Sequence, residues 1–116
     1  MLSLIKITKE LEEELSKLSC DVYHYYAKPS QSTDYIVFAE TGEGNSFYVD
    51  NGKHEQVLEG YVEFYTQTEY NPLCDSIQQV LENVADAWEL ALVEYSEEEK
   101  LIRFIWNWQI RGKDNG

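Results

Sequence analysis

The alternation between residues 58 and 65 constrains the fold more than any other feature of the sequence. In "LEGYVEFY", an apolar residue or glycine takes every second place, and glutamate or tyrosine takes the places between. Successive side chains of a β-strand point to opposite faces, so this period of two predicts a strand with two different faces. One face is apolar: Leu58, Gly60, Val62 and Phe64. The other is aromatic and acidic, hence partly wet or facing a partner: Glu59, Tyr61, Glu63 and Tyr65.

Two amphipathic helices are predicted to cover the apolar face. The first has an apolar stripe at three- and four-residue steps: Leu4, Ile7, Leu11, Leu15 and Leu18. The second is predicted to open at Asn71-Pro72, because asparagine caps helices and proline at the first helical position loses only a donor without a helical acceptor. Its predicted buried stripe is Leu73, Ile77, Val80, Leu81, Val84 and Trp88. We expect one joint core of Leu58, Val62, Phe64, Ile77, Leu81 and Val84.

Further strands are predicted on both sides of the alternating segment. "DVYHYYA" (21–27) is a short aromatic strand, and "YIVFAE" (35–40) is a continuous apolar run typical of a strand covered on both faces. "TGEGNS" (41–46) is predicted as a flexible loop, and Asn51-Gly52 as a type I′ hairpin turn. We expect the whole 41–53 segment to be mobile in a monomer and ordered between neighbours. The last two strands flank an acidic hairpin tip at 96–100.

The predicted fold class is α+β. The element order is α-β-β-(β)-β-α-β-β, which favours a mainly antiparallel sheet of four to five strands with two helices packed on one face. The 116 residues have the usual size of one domain. We therefore expect a single domain over 1–116, with 111–116 as a flexible tail.

The charge of the chain limits the partners it can have. Twenty-two Asp and Glu stand against nine Lys and Arg, which gives a net charge of −13. Nucleic-acid binding gains affinity from Lys and Arg contacts to phosphates, so specific nucleic-acid binding is not expected. The acidity is either a solvated surface, or a functional face that mimics DNA or lines a passage to which DNA must not adhere.

No arrangement of residues that carries chemistry is present in the sequence. His24 and His54 lack Cys, Asp or Glu at metal-ligand spacing, and Cys20 and Cys74 form no C-x-x-C pair. "GEGN" (42–45) lacks the lysine and the following helix of a phosphate-binding loop. We expect no catalytic residue, no metal, no cofactor and no enzymatic activity, with buried thiols and a surface imidazole at residue 24.

The cellular location is predicted from what the sequence lacks. The start of the chain has no signal-peptide pattern, two distant cysteines make no disulfide framework, and no window approaches a membrane span. These features indicate an intracellular, reduced protein without a membrane partner.

Several segments, taken in order, carry a family resemblance. They are "VYHYYAKPSQSTDYIVFAE", "FYVDNG" and "EGYVEFYTQT", followed by an amphipathic helix and a hairpin with an acidic tip; the most specific stretch is residues 45–82. In this order and spacing the sequence resembles the tail-terminator (tail-completion, minor structural) proteins of long-tailed bacteriophages and prophages, over nearly its whole length.

The resemblance implies a virion structural protein. Proteins of this family form a ring, commonly of six subunits, that caps the tail tube, stops its polymerisation and connects to the neck of the head. The implied partners are further copies of the chain, the tail-tube protein and the neck or connector proteins, while DNA passes through the ring. The implied location is the bacterial cytoplasm during assembly and the tail–neck junction in the virion.

Together with this resemblance, the sequence suggests a partly apolar subunit interface. The candidate interface residues are Glu43, Phe47, Tyr48, Asn51, Tyr61 and Tyr65. Two other functions stay open: a small acidic adaptor or immunity-type protein-binding module, and a DNA-mimic inhibitor. The DNA mimic is less favoured because, apart from "EEE" at 97–99, the carboxylates are dispersed over helix faces and turns.

Overall fold

The alternating segment forms the central strand of a five-stranded sheet. A computed structural model of the protein describes residues 3–29, 33–44, 47–48 and 54–112. The elements in chain order are α1 (Leu4–Ser16), β1 (Asp21–His24), β2 (Tyr35–Glu43), β3 (Phe47–Tyr48), β4 (His54–Glu55), β5 (Val57–Thr66), α2 (Leu73–Val84), β6 (Ala87–Ser96) and β7 (Leu101–Arg111).

The sheet is antiparallel except at one edge. Its strand order is β1-β2-β5-β7-β6, and β3 and β4 form a separate two-stranded ladder. Strand β5 pairs antiparallel with β2 on one side and with β7 on the other, whereas β1 pairs with β2 in parallel. The predicted α+β class with a mainly antiparallel sheet is confirmed.

The core lies between the two helices and one face of the sheet. Leu11 and Leu15 of α1 and Ile77 and Leu81 of α2 are fully buried against it. The sheet contributes Ile36, Phe38, Leu58, Val62, Phe64, Trp106, Trp108 and Ile110. The predicted core is therefore confirmed, with Val84 half-buried at its margin. Burial along β5 alternates as the sequence predicts.

Asn71 caps the second helix and also ties it to the end of β5. Its Oδ1 accepts the N–H of Leu73 at 2.9 Å, and Pro72 follows with helical dihedrals. Its Nδ2 donates to Thr66 Oγ1 at 3.0 Å and to Asp34 Oδ2 at 3.3 Å. Thr66 Oγ1 donates in turn to Asp34 Oδ1 at 2.7 Å. The side chains of Asn71, Thr66 and Asp34 thus hydrogen-bond to one another where β5 meets α2, so their polar atoms have partners at this junction.

Trp88 lies in β6, and its placement in the stripe of the second helix is wrong. The helix ends at Val84, because Ala85 is extended and the N–H of Asp86 donates to Gln109 O of β7. Trp88 pairs with Trp108 in the sheet and still packs against the core. Trp88 follows Val84 by four residues, as a helical stripe would require, but it is apolar because it faces the core from β6.

Strand β2 runs further than predicted. Thr41–Glu43 continue it, with a register shift between Glu40 and Gly42, so the predicted loop at 41–46 begins too early. Strands β3 and β4 pair antiparallel, but the Asn51-Gly52 turn lies outside the described residues. Strand β7 extends to Arg111, one residue into the segment predicted as a tail, and Gly112 N–H donates to Gln56 O.

Candidate assembly surfaces

Both helices pack on one side of the sheet, so its other side forms an uncovered surface, here called the open face. The alternation in β5 and the strand registers assign its members. Its central members are Tyr35, Val37, Ala39, Tyr61, Glu63, Tyr65, Arg103, Ile105 and Asn107. This face is aromatic and charged, as the sequence of β5 predicts.

A charged cluster lies in the middle of the open face. Arg103 Nη2 and Nε donate to the same oxygen of Glu63, at 2.6 and 2.8 Å, and the Tyr65 hydroxyl donates to it at 3.0 Å. Glu94 accepts a longer bond of 3.4 Å from Arg103 Nη1. The hydrogen bond to Glu63 raises the pKa of Arg103, so the guanidinium stays a cation. Burial, and then Glu63, raises the pKa of Tyr65 to about 12, so its hydroxyl stays protonated.

Tyrosine rings extend from this cluster towards the β1 edge. The Tyr35 and Tyr65 rings stack with centroids 4.6 Å apart, and Tyr23 meets Tyr35 edge-on at 6.3 Å. Arg103 Cζ lies 5.9 Å from the centroid of the Tyr65 ring. Tyrosine combines apolar area with a hydroxyl that can be wet, and it is enriched at protein–protein interfaces. The open face therefore has the composition of a protein-binding surface.

The small residues of the open face are buried without a second layer above them. Val37 is 4% exposed and Ala39 is 3% exposed. In register, Val37 lies opposite Glu63 and Ala39 opposite Tyr61, so long side chains of the next strand flank both. The predicted two-sided burial of β2 is confirmed, and side chains of the sheet itself provide the cover on this side.

The structure separates the predicted interface residues. Tyr61 and Tyr65 lie half-buried on the open face. Glu43 is exposed at the end of β2, accepts a hydrogen bond from Gln56 Nε2 at 3.2 Å, and pairs with Leu58, on the helix side. The backbones of Phe47 and Tyr48 form β3, while their side chains and Asn51 lie outside the description.

A second apolar surface, which the sequence did not reveal, lies on the β6–β7 hairpin. Leu90, Val93 and Tyr95 face the helix side, because they pair with Trp106, Phe104 and Ile102. All three are nevertheless exposed, and we call them the hairpin patch. The sequence hints at this patch only through the length of the last two strands, because strands of this length extend beyond the part of the sheet that α2 covers.

The His24 side chain is half-buried, so it is less exposed than the surface imidazole that the sequence predicts. Its ring stacks between Tyr25 and Phe38, with centroids at 3.8 and 4.5 Å, and its Nε2 lies 2.8 Å from Glu40 Oε2. The Tyr25 hydroxyl also donates to Glu40. These contacts hold the C-terminal end of β1 against β2. Tyr25, the next residue, turns the chain with a φ of 74°.

The two cysteine side chains are half-buried, and a cavity lies beside the sheet. Burial raises the pKa of Cys20 and of Cys74 to about 11, so both stay protonated near neutral pH. A cavity of about 450 Å³ lies beside Trp88, Trp108, Glu59 and Gln109. The buried Trp108 Nε1 lacks a hydrogen-bond acceptor among the described residues. Within the same part of the chain, no three His, Cys, Asp or Glu side chains cluster as metal ligands.

Comparison with known proteins gives only distant similarities, all to solved structures. The chain matches no protein-family model and no curated protein sequence. A chain from a solved structure described as "Virion of native gene transfer agent (GTA) particle" aligns with a TM-score of 0.47 and 8% identity, over 91% of this chain and 92% of that chain. At this level, the similarity does not assign a function. None of the described helices is long and apolar enough to cross a membrane.

Proposed function

We propose that this protein is a phage-type virion structural protein that acts as a tail terminator. Copies of it form a ring on the end of the tail tube, stop tube growth and present a surface to the neck. The observation that carries the proposal is the sheet's open face, which is aromatic and charged but uncovered, on a chain with a net charge of −13. The family resemblance of the sequence supports the same role.

The composition of the open face suits docking against protein rather than nucleic acid. Arg103, the cation at its centre, is held by Glu63 and Glu94, and Tyr61 lies on the same face. A surface that stacks bases would need cations available to phosphates beside its aromatic rings. We therefore assign the open face to contact with a protein partner, the tail tube or the neck.

The negative charge has a use in a ring through which DNA passes. Phosphate contacts from Lys and Arg dominate the affinity of proteins for DNA, so an acidic lumen lets DNA slide without adhering. The same charge opposes assembly, because the subunits repel one another at low salt. The end of the tail tube counteracts this repulsion by holding several subunits at high local concentration.

No catalytic step is part of the proposed role. The thiols are protonated, and the His24 ring is stacked between two aromatic rings and hydrogen-bonded to Glu40. We propose that the protein acts through binding alone and is not an enzyme.

The proposal is tested by locating the protein on tail tubes. A cognate tail-tube protein is polymerised, mixed with gold-labelled protein and imaged by electron microscopy. We expect label at tube ends and none along the walls, and no label on tubes of an unrelated phage. Absence of end binding at every salt concentration would refute the terminator role and leave an adaptor role as the leading explanation.

A further inference from the structure

We infer that copies of this chain join head to tail, with the hairpin patch of one copy docked on the first two turns of α1 in the next. This inference deepens the proposed function by naming the surfaces that would join the subunits. The contact is argued from exposed residues, charge and strand order, and only the purpose of the resulting ring rests on the proposed function.

The hairpin patch is a sheet surface that the protein's own helices leave uncovered. Leu90, Val93 and Tyr95 are 47%, 52% and 57% exposed, although their cross-strand partners Trp106 and Phe104 belong to or pack against the core. The patch is thus an extension of the core-facing surface beyond α2. A surface of this kind is suited to an amphipathic helix, as the rest of the same face shows.

The first two turns of α1 offer such a helix surface. Leu4 and Ile5 are 53% and 71% exposed, and Lys6 and Lys9 are exposed beside them. The first turn contains no acidic residue, and neither lysine forms an ion pair with a described residue. We call these four residues the helix patch.

The two patches are complementary in charge. The hairpin tip beside Tyr95, residues 96–100, carries three glutamates and one lysine, whereas the first two turns of α1, residues 4–10, carry two lysines and one glutamate. Two copies joined through the same patch would bring glutamates against glutamates or lysines against lysines. Opposite charges steer association and like charges oppose it, so the mixed pairing is favoured over a symmetric one.

The patches lie towards opposite edges of the sheet. Strand β6 is one edge strand, and β1, against which α1 packs, is the other. Each copy therefore presents one patch on each side and can bind two neighbours. A heterologous contact of this kind generates a ring if the rotation closes, and a filament if it does not.

The edge of β6 favours docking by side chains over addition of a strand. A register shift between Leu90 and Leu92 interrupts the ladder there, and Glu89 and Glu94 stand beside it. Bulges and charges on edge strands restrain pairing with another strand. We therefore assign the patch to a helix of the next copy.

Two variants and their mixture test the contact. The hairpin variant is Val93→Asp/Tyr95→Asp, and the helix variant is Lys6→Glu/Lys9→Glu. All four side chains are exposed, so both variants should fold, which circular dichroism and thermal unfolding verify. Lys17→Glu/Lys28→Glu is the control for the helix variant, since it changes the net charge by the same amount at other exposed positions.

The expected results follow from the head-to-tail geometry. In sedimentation velocity, the wild type and the control associate as concentration rises, most strongly at intermediate salt, where repulsion is screened but close ion pairs persist. Each variant alone associates at least about tenfold more weakly. An equimolar mixture forms dimers and nothing larger, because one intact hairpin patch meets one intact helix patch. A wild type that stays monomeric at every concentration and salt, a variant that associates like the wild type, or a mixture that stays monomeric would each overturn the inference.

The tube assay separates this inference from the proposed function. If the wild type and both variants bind tube ends equally, the head-to-tail contact is wrong and the terminator function stands. If the mixture forms dimers but the wild type binds no tube end, the contact stands and the terminator function is wrong.

Discussion

Gly60 determines how Trp108 packs in the core. A Cβ at residue 60 would lie 2.1 Å from Ala39 O and 2.4 Å from Trp108 Cζ2. The absence of a side chain thus lets the indole lie across β5 towards the backbone of β2. The glycine in the alternating segment, which the sequence places on the apolar face, is a packing requirement at that position.

Replacement of Gly60 by alanine should destabilise the protein strongly. Backbone cannot move away as a flexible side chain can, so we expect a loss of about 3 kcal/mol or more in the free energy of unfolding, the upper end for overpacking. Gly42→Ala is the control, because its Cβ would meet no atom within 4 Å and only the φ of 153° opposes it. Urea unfolding measures both variants. Equal losses would show that the packing of Trp108 does not depend on Gly60.

Stability should fall at alkaline pH because the half-buried thiols of Cys20 and Cys74 resist ionisation. The pKa of Cys20 and of Cys74 is raised from 9.0 to about 11, mainly by burial. Below pH 9 both thiols are protonated in the folded and unfolded states, so their contribution is fully present. As the pH rises from 9 through 11, the unfolded state ionises first and this stability is lost. Tyr65, raised from 10.0 to about 12, adds the same trend at higher pH.

Urea midpoints at about pH 8 and about pH 10.5 check this expectation. The wild type should lose stability between them, and Cys20→Ser/Cys74→Ser should lose less. If the double variant loses as much as the wild type, the thiols are not the cause.

At the scale of elements, Asn71 links the end of β5 to the start of α2. It accepts the N–H of Leu73 and donates to Thr66 and Asp34, so one side chain sets both the helix start and the strand end. The Asn-Pro signal predicted the helix start. The link to Asp34 and Thr66 is distant in sequence, so local patterns could not reveal it.

Asn71→Ala should destabilise the protein by about 1–3 kcal/mol, because it removes a helix cap and leaves buried polar groups without a partner. Asn83→Ala is the matched control, since Asn83 is exposed near the end of α2 and bonds only Gln79 among the described residues. Thermal unfolding measures both. A loss for Asn71→Ala no greater than that of the control would contradict the role of this link.

Phe64 tests the packing of the helices on the sheet. It is fully buried in the core, so Phe64→Ala should cost about 3–5 kcal/mol, as measured by urea unfolding. Tyr70→Ala, at a 92% exposed side chain, should change stability by less than about 0.5 kcal/mol. A loss below about 1 kcal/mol for Phe64 would show that the apolar face of β5 is not the core face.

The sequence predicted elements with a strong period and missed features that depend on distant strands. Strand β5 and the core-facing stripe of α2 were predicted because local alternation and helical steps encode which side is buried. The end of α2 before Trp88 was missed, since the hydrogen bond from Asp86 to Gln109 that ends it joins distant residues. The exposure of Leu90 and Val93 depends on how far α2 reaches over β6. The apolar residues of a strand do not by themselves show whether a helix covers them.

At the scale of the whole molecule, the net charge opposes association and the exposed apolar and aromatic surfaces favour it. The net charge of −13 disfavours association, while the open face and the hairpin patch expose surface that another protein would cover. If the energetic margin for association is small, assembly depends on a template, as the proposed role at the end of a tube requires. In dilute solution we therefore expect a monomer or a small oligomer.

The length distribution of tail tubes tests the central claim most directly. The cognate tail-tube protein is polymerised with increasing amounts of this protein, and tube lengths are measured by electron microscopy. Termination at the tube end predicts shorter tubes as its concentration rises, with ends that no longer elongate when fresh tube protein is added. Tubes that reach the same lengths and keep elongating at every concentration and salt would contradict the claim.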